Sequence, residues 1–178
     1  MTTTQTSADC RVYIACLAAY NAGVLHGKWV DVDGLTVDEL QEEINAVLAA
    51  SPEEGAEEWA IHDHEGFHGL IKGEWPDLQE VCTFAELIAE HGEAVAIYGA
   101  HIGADADGLG DSFQDAYCGQ WDSFQEYVEQ SCDDTGYLEN VPEHIKFHID
   151  WESVAREWSY DHFEEEATGG GVHVFRSC

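Results

Sequence analysis

The chain has 178 residues, with 37 Asp and Glu against 6 Lys and Arg, a formal net charge of −31 and a sequence pI near 4.2. A net charge of about 2 to 8 in magnitude already suffices for the solubility of a small domain. The balance excludes a nucleic-acid binder and a ligand of anionic membranes, which need clustered Lys and Arg, because Arg11, Lys28, Lys72, Lys146, Arg156 and Arg176 stand singly.

Acidic disorder is excluded as well, since 44% of the residues are hydrophobic and 11% aromatic, enough to build a core. No apolar run approaches the ~18 residues of a membrane span, and the leading MTTTQTSAD has neither a basic start nor an apolar stretch. The chain is therefore expected in the cytoplasm. Cys10, Cys16, Cys82, Cys118, Cys132 and Cys178 form no CxxC pair, which argues against a zinc ribbon or a disulfide framework and for buried or idle thiols.

In chain order, residues 11–17 alternate as a strand, with Val12, Ile14 and Cys16 on one face. Residues 29–32 give a second strand and residues 57–65 a third. Between them Thr36 and Glu39 make a capping-box pattern, and Val37, Leu40, Ile44, Val47 and Leu48 form the apolar stripe of a helix that ends before Pro52. Asp38, Glu39, Glu42 and Glu43 crowd its solvent side, where like charges at i, i+4 cost a few tenths of a kcal/mol.

Thr83 and Glu86 repeat the capping-box pattern ahead of Leu87 and Ile88, with Gly92 as a left-handed cap, and residues 94–102 predict a further helix. The Gly-rich segment 103–111 reads as a hinge. Residues 113–121 predict a strand, followed by a helix from Asp122 or Ser123 with Phe124, Tyr127 and Val128 on one face. A helix from Asp150 carries Trp151, Val154, Ala155 and Trp158, and after Gly169, Gly170 and Gly171 a strand closes the chain at 172–175.

The expected fold class is α+β, in three small pieces: 1–74, 75–105 and 106–178. These hold 14 acids and 3 bases, 6 and 0, and 17 and 3 respectively, so the charge is spread over the whole chain. Between Lys72 and Lys146 lie 73 residues with 17 acids and no base. An acidic tail on a neutral body would concentrate its charge in one block.

Local constellations for chemistry are weak. His62, His64 and His68, with Asp63 and Glu65, are the best metal candidate, since imidazoles two apart on a strand share a face; no metal site is assigned. The turns at 31–34 and 105–108 fail as calcium loops, because Leu40 and Gln114 occupy the positions that need a Glu. Cys118-Gly119-Gln120-Trp121 has the wrong spacing for a cysteine-protease motif, and no Lys-bearing phosphate loop is present. No catalytic residue and no cofactor are expected.

The charge itself is then the candidate functional feature. Duplex DNA carries one charge per ~1.7 Å of axis, so 31 excess negatives correspond to about 50 Å, or roughly 15 base pairs. Carboxylates on a rigid scaffold could engage the Lys and Arg of a DNA-binding groove. The rival explanation is a salt-adapted acidic globular protein, in its enzymatic version using His62, His64 and His68. Salt separates the two: a halophilic protein gains stability up to molar salt, whereas a mimic folds and binds best at low salt.

Three segments bear on the choice: RVYIACLAAYNAGVLHGKWVDV (11–32), EEWAIHDHEGF (57–67) and VPEHIKFHIDWESVAREWSYD (141–161). Together they resemble the ArdA antirestriction proteins of mobile genetic elements, over most of the chain. The resemblance implies a non-catalytic DNA mimic that occupies the DNA-binding groove of type I restriction–modification enzymes. It also implies an elongated homodimer of three small domains per chain, dimerising through the C-terminal one.

On that reading the partner-binding surface is drawn from Asp38, Glu39, Glu42, Glu43, Asp63, Glu65, Asp111, Asp115, Asp122, Glu126, Glu129, Asp133 and Asp134. Phe113 and Tyr117 are the candidate dimer contacts. No nucleic acid and no membrane is expected as a partner.

Overall fold

The computed structural model describes residues 10–177; the N-terminal MTTTQTSAD and Cys178 lie outside the described residues. The chain is α+β and divides into two compact units, residues 1–110 and 111–178. The helical segment 75–105 falls within the first unit.

The first unit is built on an antiparallel sheet of order β2-β1-β3, from β1 (Arg11–Cys16), β2 (Gly27–Asp31) and β3 (Trp59–Glu65). A five-residue helix, α1 (Leu17–Asn21), follows β1 directly. Val12, Ile14, Cys16 and Val30 are buried. They face α2 (Val37–Ala49), which contributes buried Leu40, Ile44 and Val47. The apolar face of a helix against the apolar face of a sheet is the arrangement that removes both from water.

The capping box forms as expected. Glu39 N–H donates to Thr36 Oγ1 at 3.3 Å, and Thr36 N–H donates to Glu39 Oε2 at 2.8 Å. In β1–β3 the register passes from Tyr13↔Asp63 to Ile14↔Ile61, so His62 is an extra residue in a β-bulge.

The middle helix differs from its sequence reading. α3 (Leu78–His91) starts five residues before Thr83, with Asp77 as N-cap accepting from Gln79 N–H at 2.7 Å and Glu80 N–H at 3.3 Å. Thr83 sits inside the helix and its hydroxyl bonds back to the Gln79 carbonyl at 2.9 Å. Burial of Val81 and Cys82 holds the extra turn in place. Gly92 (φ 76°, ψ −167°) then separates α3 from α4 (Glu93–Ile102), a backbone state open to glycine and strained for other residues.

The segment expected to be a hinge and then a strand is instead helical from 109 to 116, as α5 (Leu109–Ala116), and extended only as β4 (Tyr117–Trp121). The division between units falls in the first turn of α5.

The second unit has a sheet of order β4-β6-β5, also antiparallel, with β5 (His162–Glu166) and β6 (Val172–Arg176). Sequence alternation alone did not reveal β5, whose HFEEE run has one apolar residue; its pairing with β6 from His162↔Arg176 to Glu166↔Val172 defines it. Packed with this sheet are α6 (Phe124–Asp134) and α8 (Trp151–Trp158), with the short α7 (Glu143–Lys146) between them in sequence. Phe124, Tyr127, Val128, Cys132 and Val174 form the core, and Trp121, Trp151, Val154 and Trp158 pack around it half-buried.

Candidate functional site

Of the acidic residues singled out from the sequence, all are exposed except Glu43 and Glu129, which are half-buried. Those of the first unit lie on α2 and β3. Asp38 and Glu42 stand one turn apart, as do Glu39 and Glu43, giving two rows of carboxylates on one helix. Glu43 pairs with Lys28 at 2.6 Å and Glu65 accepts from Arg11 Nε at 2.6 Å. Glu39 is held below the usual carboxylate range by the bonds from Thr36, the backbone N–H first and the hydroxyl second. Asp63 accepts from His64 N–H at 2.8 Å.

In the second unit Asp111 and Asp115 lie on α5, and Asp122 precedes α6. Glu126, Glu129 and Asp133 recur at i, i+3, i+7 on the face of α6 opposite Phe124, Tyr127 and Val128, with Asp134 beside them. Ser123 caps α6 by accepting from Glu126 N–H at 3.2 Å, while the Glu126 carboxylate accepts from Asp122 N–H at 3.0 Å. Glu129 and Asp134 accept from Gln125 and Gln130, each one turn earlier, at 2.6 and 2.9 Å.

The histidine trio does not converge. The bulge at His62 breaks the alternation that would give His62 and His64 a common face. His62 meets Tyr20 edge-on with ring centroids 4.9 Å apart, and His64 meets Phe67 at 6.0 Å. His68 has φ 47° and lies 3.9 Å from Glu93. Among the described residues no group of three His, Cys, Asp or Glu could hold a metal ion.

None of the described cysteines forms a disulfide. Burial, followed by the negative charges of Glu86 and Glu39, pushes the Cys82 thiol up, and burial does the same to Cys132. A raised thiol is a poor nucleophile. Cys118 is half-buried and donates to the Ala116 carbonyl at 3.4 Å.

Phe113 is 3% exposed within the single chain and stacks on Tyr117 at 4.8 Å. Tyr117 is half-buried, with its hydroxyl 3.0 Å from His173 Nδ1. The ring of Phe113 is therefore already covered by the chain's own fold. The large apolar side chains left exposed in this unit are Tyr137, Ile145, Phe147 and Tyr160. One capping carboxylate escaped the sequence reading, Asp77, which precedes its helix by one position, the signal that would have found it; Asp150, where the sequence starts a helix, caps α8.

The described surface is thus that of a folded acidic protein whose prominent groups are dispersed carboxylates on helix faces. No described helix is long and apolar enough to cross a membrane. Comparison with known families is specific. The model for the antirestriction protein ArdA matches residues 12–172, nearly the whole chain, and the chain belongs to the ArdA antirestriction family. No curated protein matches it significantly.

Proposed function

We propose that the protein exerts its antirestriction function by presenting its acidic surface in place of duplex DNA to the DNA-binding groove of type I restriction–modification enzymes, in the cytoplasm and without catalysis. The observation that carries this reading is the carboxylate rows on helices of both units, exposed except for the half-buried Glu43 and Glu129. On α2 four carboxylates fall within about 8 Å of helix axis, a line density near the one charge per ~1.7 Å of a duplex. On α6 four fall within about 12 Å, close to the ~3.4 Å spacing of a single strand. The three-piece plan of 1–74, 75–105 and 106–178 goes with this reading, each piece carrying a share of the charge.

The acting species on this reading is a homodimer formed through the C-terminal unit. The exposed Tyr137, Ile145, Phe147 and Tyr160 supply apolar area for it, whereas of the Phe113–Tyr117 pair only the half-buried Tyr117 has surface to offer.

Competition tests the proposal. Excess protein should displace duplex DNA from a type I methyltransferase core, and the displacement should weaken steeply with salt. Because the charge is dispersed, Glu129→Gln alone should cost about 0.5–1 kcal/mol of binding, whereas the triple neutralisation Glu129→Gln, Asp133→Asn and Asp134→Asn should cost clearly more. Failure to displace DNA at low salt would overturn the mimicry reading.

A further inference from the structure

Alternation along β1 sends Val12 and Ile14 toward α2 and Arg11 and Tyr13 to the opposite face of the sheet. That opposite face is open around Arg11. The Arg11 and Glu65 side chains are 43% and 52% exposed, and Asp31, Asp33 and Asp63 are exposed too.

The register composes this face row by row. Arg11 lies between Asp31 on β2 and Glu65 on β3, and in the next row Tyr13 lies between Trp29 and Asp63. Tyr13 folds over Gly27, where a Cβ would fall 2.7 Å from the tyrosine ring. This brings the Tyr13 and Trp29 ring centroids to 5.6 Å. An aromatic floor is thereby flanked by carboxylates on both edge strands, and Asp33 joins Arg11, Asp31 and Glu65 around one cleft.

One guanidinium already uses this floor. Arg11 Cζ stands 4.9 Å from the centre of the Trp29 ring while its Nε donates to Glu65. A guanidinium is flat and weakly hydrated, stacks on aromatic faces and pairs with carboxylates in a fork, whereas a lysine ammonium is a strongly hydrated point charge. Four carboxylates face this single base, so the face remains strongly negative with Arg11 in place.

We infer that this open face is an arginine-recognition surface: an arginine of a basic partner stacks on Trp29 and pairs with Glu65 and Asp31, displacing Arg11. The exchange replaces the Arg11–Glu65 ion pair, adds one to Asp31 and turns the half-exposed Arg11 outward. It deepens the reading of the chain as a ligand for basic grooves, on which it rests for its biological partner. Carboxylates standing in for phosphates attract Lys and Arg alike; this face distinguishes them.

The test uses octa-arginine and octa-lysine as probes of the full-length protein, with the Trp29 indole N–H resonance as local readout. Octa-arginine should bind roughly two- to fivefold more tightly and should shift that resonance. In Trp29→Leu the preference should vanish while salt-dependent binding of both peptides persists. Arg11→Ala should tighten octa-arginine binding by about twofold more than Arg156→Ala, a charge control in the second unit, and this arm stands even if Trp29→Leu does not fold.

No preference in the wild type, or one untouched by Trp29→Leu, overturns the inference. So does an Arg11→Ala gain no larger than that of Arg156→Ala. A Trp29-dependent preference in a protein that fails to displace DNA from the methyltransferase core would uphold this inference and sink the mimicry reading instead.

Discussion

The two units solve the same packing problem with different side chains. Each has a three-stranded antiparallel sheet with an edge–centre–edge order and a register shift against the central strand. In the first, the sheet–helix core is aliphatic: Val12, Ile14, Leu40 and Ile44 are fully buried. In the second, rings do the work. Tyr127 contacts Trp121, Phe124, Trp158 and His162, and Phe175 contacts Phe113, Tyr117 and Phe163.

Rings bury large areas per residue but bring polar ends that need partners. Tyr127 hydroxyl lies 3.1 Å from His162 Nε2, and His162 Nδ1 lies 3.1 Å from the Trp158 carbonyl, so Nδ1 donates and Nε2 accepts from the tyrosine. Trp121 Nε1 donates to the Cys118 carbonyl at 3.0 Å. Among the described residues no buried side-chain nitrogen or oxygen is left without a partner.

The largest test of this contrast removes a central side chain from each unit. Phe175→Ala should cost about 3–5 kcal/mol and Leu40→Ala about 2–5 kcal/mol. The spectroscopic outcomes should differ more than the energies. Near-ultraviolet circular dichroism should collapse in Phe175→Ala, which dissolves a ring cluster, and change little in Leu40→Ala. Equal spectral losses would mean that rings do not dominate the second core.

Next in size is Gly27→Val. A Cβ there would stand 2.5 Å from the Ile14 carbonyl oxygen and 2.7 Å from the Tyr13 ring, so the β1 backbone as well as the ring must move, at about 1–3 kcal/mol of stability. Denaturant titration and the Tyr13 aromatic resonances would report it.

Tyr127→Phe is expected to cost about 1 kcal/mol at neutral pH, the worth of one net hydrogen bond. It also sharpens the pH behaviour. Burial, then the neighbouring Cys118, pushes the Tyr127 phenol from 10.0 up to about 12. A raised folded value means that the contribution is complete below the unfolded value and is lost as pH rises through the folded one. The wild type should therefore lose stability between about pH 10 and 12, and Tyr127→Phe should flatten that limb in alkaline unfolding monitored by circular dichroism.

The smallest effect is acid-side. Bonds from Ser153, hydroxyl first and backbone N–H second, hold Asp150 below its ordinary value. This contribution is present above the unfolded carboxylate value and is lost as pH falls through the lower folded one. Asp150→Ala should destabilise α8 at neutral pH, and the difference from wild type should shrink in acid.

What the sequence made legible was local. Thr36 and Glu39 announce α2 because their partners lie three residues apart, and the apolar stripe behind them agrees. The same pattern at Thr83 and Glu86 misled, since Asp77 caps the helix upstream and burial of Val81 and Cys82 decides the extra turn. β5 was hidden because its partner is a strand beyond a glycine turn, and the shared face of His62 and His64 was lost to a bulge that no pattern within β3 announces. The acidic surface was legible in composition. Its rows on α2 and α6 followed from helical spacing, but the Arg11–Trp29 stack did not, because its two residues meet across strands.

The N-caps carry one more consequence. Asp77 and Asp150, and Glu39 and Glu126 in the first turns they help to close, hold backbone N–H groups with the same carboxylates that add to the surface charge. Acidic positions on this chain therefore differ in how freely they can be exchanged. On open helix faces an acid can move by a turn and leave the fold untouched, while at these four sites its removal frays a helix end. A neutralisation scan that mixes the two kinds would mistake unfolding for lost recognition unless thermal stability is measured beside it.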